Sequence, residues 1–124
     1  MPGEIATPHH YQTGKHLKSF LLLLIARRRD YGGALIERLR ETLPSHCSVD
    51  PGQVYRLLRA FEADSLVVSR WRTQAGGVPL RMYEITDLGR ERLQEMAGEI
   101  RSRRDALERF LQLWDLPSDE PQPD

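Results

Sequence analysis

The stretch that decides the fold of this chain is DPGQVYRLLRAFEADSLV, residues 50–67. Its pattern predicts a short helix that is followed at once by a strand. Asp50 is a favourable N-cap and Pro51 suits the first helical position, so the helix has a sharp start with uncovered N-terminal amides. Apolar residues recur at helical spacing and must face a core: Val54, Leu57, Leu58 and Phe61. The opposite side of the helix remains polar and available to a partner.

The polar side of this helix carries side chains suited to reading DNA, and its N-terminus attracts phosphate. The candidate DNA-binding residues here are Pro51, Gly52, Gln53, Tyr55, Arg56 and Arg59. Two alternatives stay open. Tyr55 lies beside the apolar stripe and would serve equally as core packing with its hydroxyl at the surface. The two arginines would also serve as solvated charges, with Arg59 paired with Glu62 or Asp64.

The composition is that of a single soluble domain. The chain has 124 residues, of which 40% are hydrophobic, enough for one modest core. One cysteine, Cys47, excludes an internal disulfide and a tetrathiolate zinc site. The apolar run at residues 20–26 is much shorter than the ~20 residues that span a bilayer, and it lacks the features of a secretory signal. We therefore expect a cytoplasmic protein with no membrane contact.

Charge is distributed unevenly along the chain. The 18 basic and 18 acidic residues cancel in total. Between Pro51 and Arg81, however, five arginines outnumber two acids, whereas the segment after Trp114 contains acids and no basic residue. This separation is expected if one face meets phosphates and the acidic, proline-rich tail at 117–124 stays clear of them.

Two further helices are predicted before the central one. Residues 1–14 show no periodicity, which favours a flexible extension. Apolar spacing predicts a first helix over 15–29, and a second over 34–43 that Pro44 ends. Asp30-Tyr31-Gly32-Gly33 between them is expected to break the helical pattern. Residues 45–49 form a link that is either a loop or one short strand.

A β-hairpin is predicted after the central helix. Residues 66–73 and 81–85 favour strands, and Gly76-Gly77 supplies the backbone freedom of the loop between them. Three helices followed by a hairpin predict a winged helix-turn-helix, in which the third helix enters a major groove and the hairpin is the wing. Trp71 is expected to pack under the hairpin. The wing would bring three side chains to DNA: Arg72, Gln74 and Arg81.

A long helix is predicted at the end of the chain, with Thr86 as its cap. Its apolar positions alternate in steps of three and four, the heptad seam by which helices pack together. The seam consists of Leu93, Met96, Ile100, Arg103, Leu107, Phe110 and Trp114. So small a winged domain leaves much of this seam uncovered, which predicts a homodimer. Arg103 would either pair with an acid of the partner or extend to water at the interface edge. Aromatic rings make Phe20, Phe110 and Trp114 a candidate ligand pocket.

The chain resembles the PadR-like transcriptional regulators over residues 17–111. The resemblance lies in YGGALIERL (31–39), PGQVYRLLRAFE (51–62) and GGVPLRMYEITDLG (76–89). It implies a homodimer whose last helix packs across the partner, acting as a repressor that a small molecule or another signal releases. By position, it implies DNA contacts at Tyr55 and the start of the central helix, and wing contacts at Arg72 and Arg81. The chain departs from the family pattern in two places, Tyr31-Gly32-Gly33 and Asp50.

Enzymatic and metal-binding functions find little support in the sequence. There is neither a phosphate-binding glycine loop of the Walker type nor an identifiable nucleophile with a base. His46-Cys47 is a weak metal or redox candidate, and no metal or cofactor is expected. The predicted fold is mainly α with a small β-hairpin, α+β in class: a winged helix-turn-helix over 15–85 and a dimerisation helix over 86–116. The predicted function is a homodimeric DNA-binding repressor on an inverted-repeat operator; the alternative is a winged-helix dimer that acts as a protein-interaction adaptor without binding DNA.

Overall fold

The computed structural model describes residues 13–45, 47–73 and 76–120, with side chains from residue 16 onward. Seven elements follow one another within these ranges: α1 (Thr13–Arg27), β1 (Asp30–Tyr31), α2 (Gly32–Thr42), α3 (Pro51–Ala63), β2 (Val67–Arg72), β3 (Leu80–Ile85) and α4 (Asp87–Asp115). This order confirms the predicted α+β fold: three helices, a hairpin and a long last helix.

The segment between the first two helices differs from the prediction. Asp30 and Tyr31 form a short strand that pairs with Tyr83 and Met82 of β3, and both glycines that follow belong to α2. The predicted break between the two helices is therefore present at Asp30 and Tyr31, but it is a strand, and it does not include the glycines. Arg38 of α2 holds this junction together, because its guanidinium donates to the backbone carbonyls of Leu24 and Arg28 and to the Asp30 carboxylate. The bond to Leu24 reinforces the end of α1, where the same carbonyl also accepts from the Arg28 amide at 3.1 Å.

Helix α3 begins and ends at defined positions. The Asp50 side chain accepts a hydrogen bond from the Gln53 amide at 3.3 Å, which confirms the predicted N-cap and covers one of the amides expected to be free. At the other end, the Leu66 amide donates to the Phe61 carbonyl and the Ser65 amide to the Glu62 carbonyl, the pattern of a Schellman motif. Ser65 has a φ of 62°, a left-handed conformation that glycine usually supplies. The chain therefore reverses directly from α3 into β2.

The three strands form an antiparallel sheet in the order β1-β3-β2. In the hairpin, Ser69 faces Tyr83, Trp71 faces Arg81 and Arg72 faces Leu80. Among the described residues of 45–49 no strand is present, so this link is not the extra strand that was considered.

The core lies between the helices and the base of the sheet. It is built from the apolar stripes that the sequence predicted, and its fully buried side chains include Leu17, Leu21, Leu35, Leu39, Val54, Leu58, Phe61 and Val67. Among the described residues no polar or charged side chain is fully buried. Because the inner side of α3 supplies Val54, Leu58 and Phe61 to this core, its outer side is turned to solvent.

Helix α4 is fixed at its start to the turn after α3. The Thr86 hydroxyl accepts from the Gly89 amide at 2.9 Å, which confirms the predicted cap. Its proton faces the Ser65 carbonyl at 2.7 Å and, as a second acceptor, the Leu66 carbonyl at 3.0 Å. A side chain at Gly89 would collide with that same carbonyl. The chain divides into two compact units, residues 1–93 and 94–124, and α4 begins in the first and continues in the second.

Candidate nucleic-acid interface

The outer side of α3 presents the candidate residues predicted from the sequence. Pro51, Gly52, Tyr55, Arg56 and Arg59 are all exposed, and Gln53 is half-buried. They occupy the first two and a half turns of the helix, where a helix that enters a major groove contacts base edges. The structure thus places this part of the predicted set on one accessible surface.

The two arginines of α3 differ in their electrostatic surroundings. Arg56 approaches the Asp50 carboxylate at 3.9 Å, and both side chains are well exposed, so this pair is weak and easily exchanged for another anion. Within the described part of the chain Arg59 forms neither a hydrogen bond nor a salt bridge, and the alternative in which it pairs with Glu62 or Asp64 was wrong. Glu62 instead binds Arg81. Arg59 therefore offers an uncompensated charge.

Tyr55 packs against the start of α2. A Cβ atom built on Gly32 would lie 2.6 Å from Cε1 of the Tyr55 ring, so the ring occupies the space that a side chain at this position would need. The tyrosine still keeps 38% of its surface exposed. Both interpretations of Tyr55 thus hold in part: one side of the ring packs against α2, and the remainder is accessible.

The wing separates two arginines that the sequence grouped together. Residues directly opposite in an antiparallel pair share a face, and neighbours along a strand alternate between faces. Arg81 lies opposite Trp71, whereas Arg72 lies opposite Leu80, so Arg72 and Arg81 are on opposite faces of the hairpin. Arg72 is exposed and has no ion pair among the described residues. Gln74, the third predicted wing residue, lies outside the described residues.

Arg81 belongs to a chain of contacts that runs from α3 to the wing. The Glu62 carboxylate accepts a 2.6 Å hydrogen bond from the Ser69 hydroxyl, and that hydroxyl accepts a 2.7 Å bond from Nε of Arg81. The same guanidinium lies 3.4 Å from Glu62 and 5.4 Å from the centroid of the Trp71 ring. We call these four residues the α3–wing chain: Glu62, Ser69, Trp71 and Arg81. The prediction that Trp71 packs under the hairpin was wrong, because the side chain remains 65% exposed.

A groove of about 410 Å³ lies between α3 and the hairpin, lined by Arg59, Glu62, Ala63, Arg81 and Tyr83. Burial raises the pKa of the Tyr83 hydroxyl above its ordinary value, and the positive charge of Arg81 partly opposes this shift. Tyr83 is therefore a neutral hydrogen-bonding group at physiological pH. Sequence reasoning missed Glu62, Ser69 and Tyr83 as parts of this surface, because the hairpin register that brings them together is not visible in the sequence.

The predicted dimer seam lies on α4 and becomes more exposed toward the end of the helix. Leu93 is half-buried and Met96 buried, whereas Ile100, Arg103, Leu107, Phe110 and Trp114 are exposed. Phe110 and Trp114, two of the three candidate ligand-pocket residues, keep 63% and 74% of their surface accessible. Phe20, the third, is half-buried in α1. The ligand pocket remains a prediction.

In the part of the chain that the structure describes, no group of three or more His, Cys, Asp or Glu side chains is placed to hold a metal ion. Cys47 is half-buried, and its neighbour His46 lies outside the described residues. None of the described helices has the length and apolar content needed to cross a bilayer.

Comparison with known proteins identifies the family to which this chain is similar. The model of the transcriptional regulator PadR-like family matches residues 21–95. A PadR-like transcriptional regulator from Bacillus cereus is 24% identical, with a TM-score of 0.72 over 82% of this chain and 97% of its own. A PadR-like transcription factor from Bacteroides fragilis is 23% identical, with a TM-score of 0.66 over 82% and 94%. A PadR family regulator from Clostridium difficile is 20% identical, with a TM-score of 0.69 over 77% and 98%. No curated protein matches the chain.

Proposed function

Because the chain belongs to the PadR-like family of transcriptional regulators, we propose that it is a homodimeric repressor that binds an inverted-repeat operator and is released by a small molecule or another signal. The observation that carries this proposal is the surface of α3, whose inner side is buried in the core while Tyr55, Arg56 and Arg59 are exposed. Each protomer would place α3 in a major groove, with the wing beside it on the flanking duplex. Two-fold symmetry then sets the half-sites one helical turn or a multiple apart, ~10 base pairs from centre to centre.

The distribution of free charge supports DNA as the partner. Arg59 and Arg72 carry charges that no acid compensates among the described residues, and Arg56 is held loosely by an exposed Asp50. The phosphates of a duplex would supply the anions that these arginines lack. Binding releases counterions from the duplex, so affinity must fall steeply as salt concentration rises.

Fluorescence anisotropy on a labelled duplex from the chain's own upstream region tests the proposal, with the titration repeated at several salt concentrations. Arg56→Ala and Arg59→Ala are expected to weaken binding about tenfold, equivalent to ~1.4 kcal/mol. Arg109→Ala is the matched control, because Arg109 is exposed on α4 and bonds to Gln112. Weak binding that depends neither on salt concentration nor on the DNA sequence would refute the repressor and favour the protein-interaction adaptor.

The dimer is supported by the apolar surface of α4. Leu107, Phe110, Leu113 and Trp114 lie within two turns and are between 54% and 74% exposed, which is unusual for a chain without a partner. Sedimentation equilibrium of Phe110→Asp is expected to show a monomer at concentrations where the unmodified chain is a dimer. Gln112→Asp, on the polar side of the same turn, should remain dimeric. A dimer that tolerates both substitutions would place the interface elsewhere.

Release by a signal requires that ligand binding favour a dimer whose two α3 helices no longer fit the operator together. The candidate aromatic residues for such a ligand are Phe20, Phe110 and Trp114. An effector would reveal itself by lowering operator affinity in the anisotropy titration. Substitution of Phe20 by Ala should abolish that response without abolishing operator binding, if the pocket is where we propose.

A further inference from the structure

Trp71 is the largest exposed apolar side chain on the wing. It lies near the end of β2, where 65% of its surface is accessible. Single exposed apolar residues are common on protein surfaces, so exposure alone indicates nothing. Trp71 differs from an ordinary surface residue because its ring is supported by other side chains.

The support comes from the α3–wing chain. The Arg81 guanidinium covers the ring, and Ser69 and Glu62 fix the guanidinium through hydrogen bonds of 2.7 and 3.4 Å. Glu62 is in turn part of a helix anchored in the core. An indole held in this way loses little conformational freedom when a partner covers it, and such preorganised aromatic side chains contribute strongly to binding.

The fold places this ring on the same side as the exposed surface of α3. After the reversal at Ser65, β2 runs back along α3, because Ser69 bonds to Glu62 and Arg59 lines the same groove as Arg81. Trp71 is two residues farther along the strand than Ser69. It therefore lies toward the half of α3 that carries the candidate DNA-binding residues.

We propose that Trp71 is an apolar contact of the wing with DNA, and that its indole packs on the deoxyribose sugars beside the half-site. This inference rests on the proposed function. Glu62 already compensates the charge of Arg81, so the α3–wing chain has no net charge to offer a phosphate. What it offers is an apolar ring, and the sugars are the apolar part of the duplex backbone. The uncompensated Arg59, which lines the same groove as Arg81, favours a polyanion over a protein as the partner.

An apolar contact and a phosphate contact respond differently to salt. Loss of one phosphate contact reduces the slope of log K against log salt by about 1. Loss of an apolar contact lowers K by the same factor at every salt concentration. Trp71→Ala is expected to weaken binding to the upstream duplex roughly tenfold with an unchanged slope, whereas Arg72→Ala is expected to reduce the slope.

Two variants keep this test independent of folding. Trp71→Phe retains an aromatic ring on the same support and is expected to bind within about threefold of the unmodified chain. Val68→Ala removes an exposed apolar side chain from the opposite face of the same strand and should leave affinity unchanged. Circular dichroism establishes that each variant is folded before its affinity is compared.

Acrylamide quenching gives a direct readout of the contact. The chain has two tryptophans. The fluorescence of Trp71 is therefore the difference between the fluorescence of the unmodified chain and that of Trp71→Phe. The duplex is expected to reduce quenching of this signal at the concentrations where anisotropy shows binding. Salt-sensitive binding with unaltered Trp71 quenching and full affinity in Trp71→Ala would overturn the inference and leave the repressor standing. Absence of DNA binding by the unmodified chain would overturn both.

Discussion

Replacing Gly32 by alanine tests how α2 and α3 are packed together. The added Cβ would lie 2.6 Å from Cε1 of Tyr55, closer than nonbonded carbon atoms approach, and 3.0 Å from the Tyr55 hydroxyl, which is a tight contact. Gly33 is the matched position, because a Cβ there meets no atom within 4 Å. Neither glycine has a positive φ, so alanine fits the backbone at both. The two substitutions therefore differ in the clash with Tyr55.

The expected magnitudes follow from this difference. Glycine to alanine at a compatible position stabilises by about 0.4–1 kcal/mol, because the unfolded chain loses conformational freedom. Gly33→Ala should show this gain. At Gly32 overpacking opposes this gain by about 1–3 kcal/mol. We expect ~1.5–2 kcal/mol, below the upper end of that range, because the partly exposed Tyr55 ring can swing outward. Gly32→Ala should thus destabilise by about 1 kcal/mol.

Urea denaturation of four proteins completes the test: the unmodified chain, Gly32→Ala, Tyr55→Ala and the double variant, all at one protein concentration. With the ring removed, Gly32→Ala should become stabilising, as Gly33→Ala is, which gives a coupling energy of about 1–2 kcal/mol. Equal effects of alanine at Gly32 and Gly33, or the same effect of Gly32→Ala with and without the Tyr55 ring, would refute the packing described above.

Five other substitutions, one of them a control, probe the fold and its pH dependence. Ser65→Gly should stabilise by about 0.5–1 kcal/mol, because glycine adopts the positive φ of this residue without strain; no gain in urea would contradict the left-handed assignment. Gly89→Ala should destabilise by at least ~2 kcal/mol through collision with the Leu66 carbonyl, whereas Gly98→Ala, in open space on α4, should not destabilise. Arg38→Ala should destabilise by about 1.5–3 kcal/mol, since it removes the hydrogen bonds that one charged side chain donates to two carbonyls and to the Asp30 carboxylate. Because the pKa of Tyr83 is raised, the folded state keeps the hydroxyl proton at a pH where the unfolded state has lost it. The free energy of unfolding should therefore fall as pH rises above 10. Tyr83→Phe should make this fall smaller than in the unmodified chain.

Much of this architecture was predictable because it depends on local patterns. The spacing of Val54, Leu58 and Phe61 decides which side of α3 is buried, and Asp50 with Pro51 fixes its start. The Gly-rich loop and the strand-forming residues around it predicted the hairpin, and Thr86 predicted the start of α4. Interactions within a few residues determine each of these features, so the sequence alone was sufficient.

The surface beside α3 was decided by tertiary structure. The register of the hairpin puts Arg81 on the face of Trp71 and Arg72 on the other, and a shift of one residue would exchange them. That register also lets Glu62 bind Arg81 across 19 positions of sequence, so that Arg59 is left uncompensated. The strand at Asp30 exists because β3 has an edge for it to pair with. These features depend on which distant residues the fold brings together, and the helical and strand periods of a sequence carry no information about such pairings.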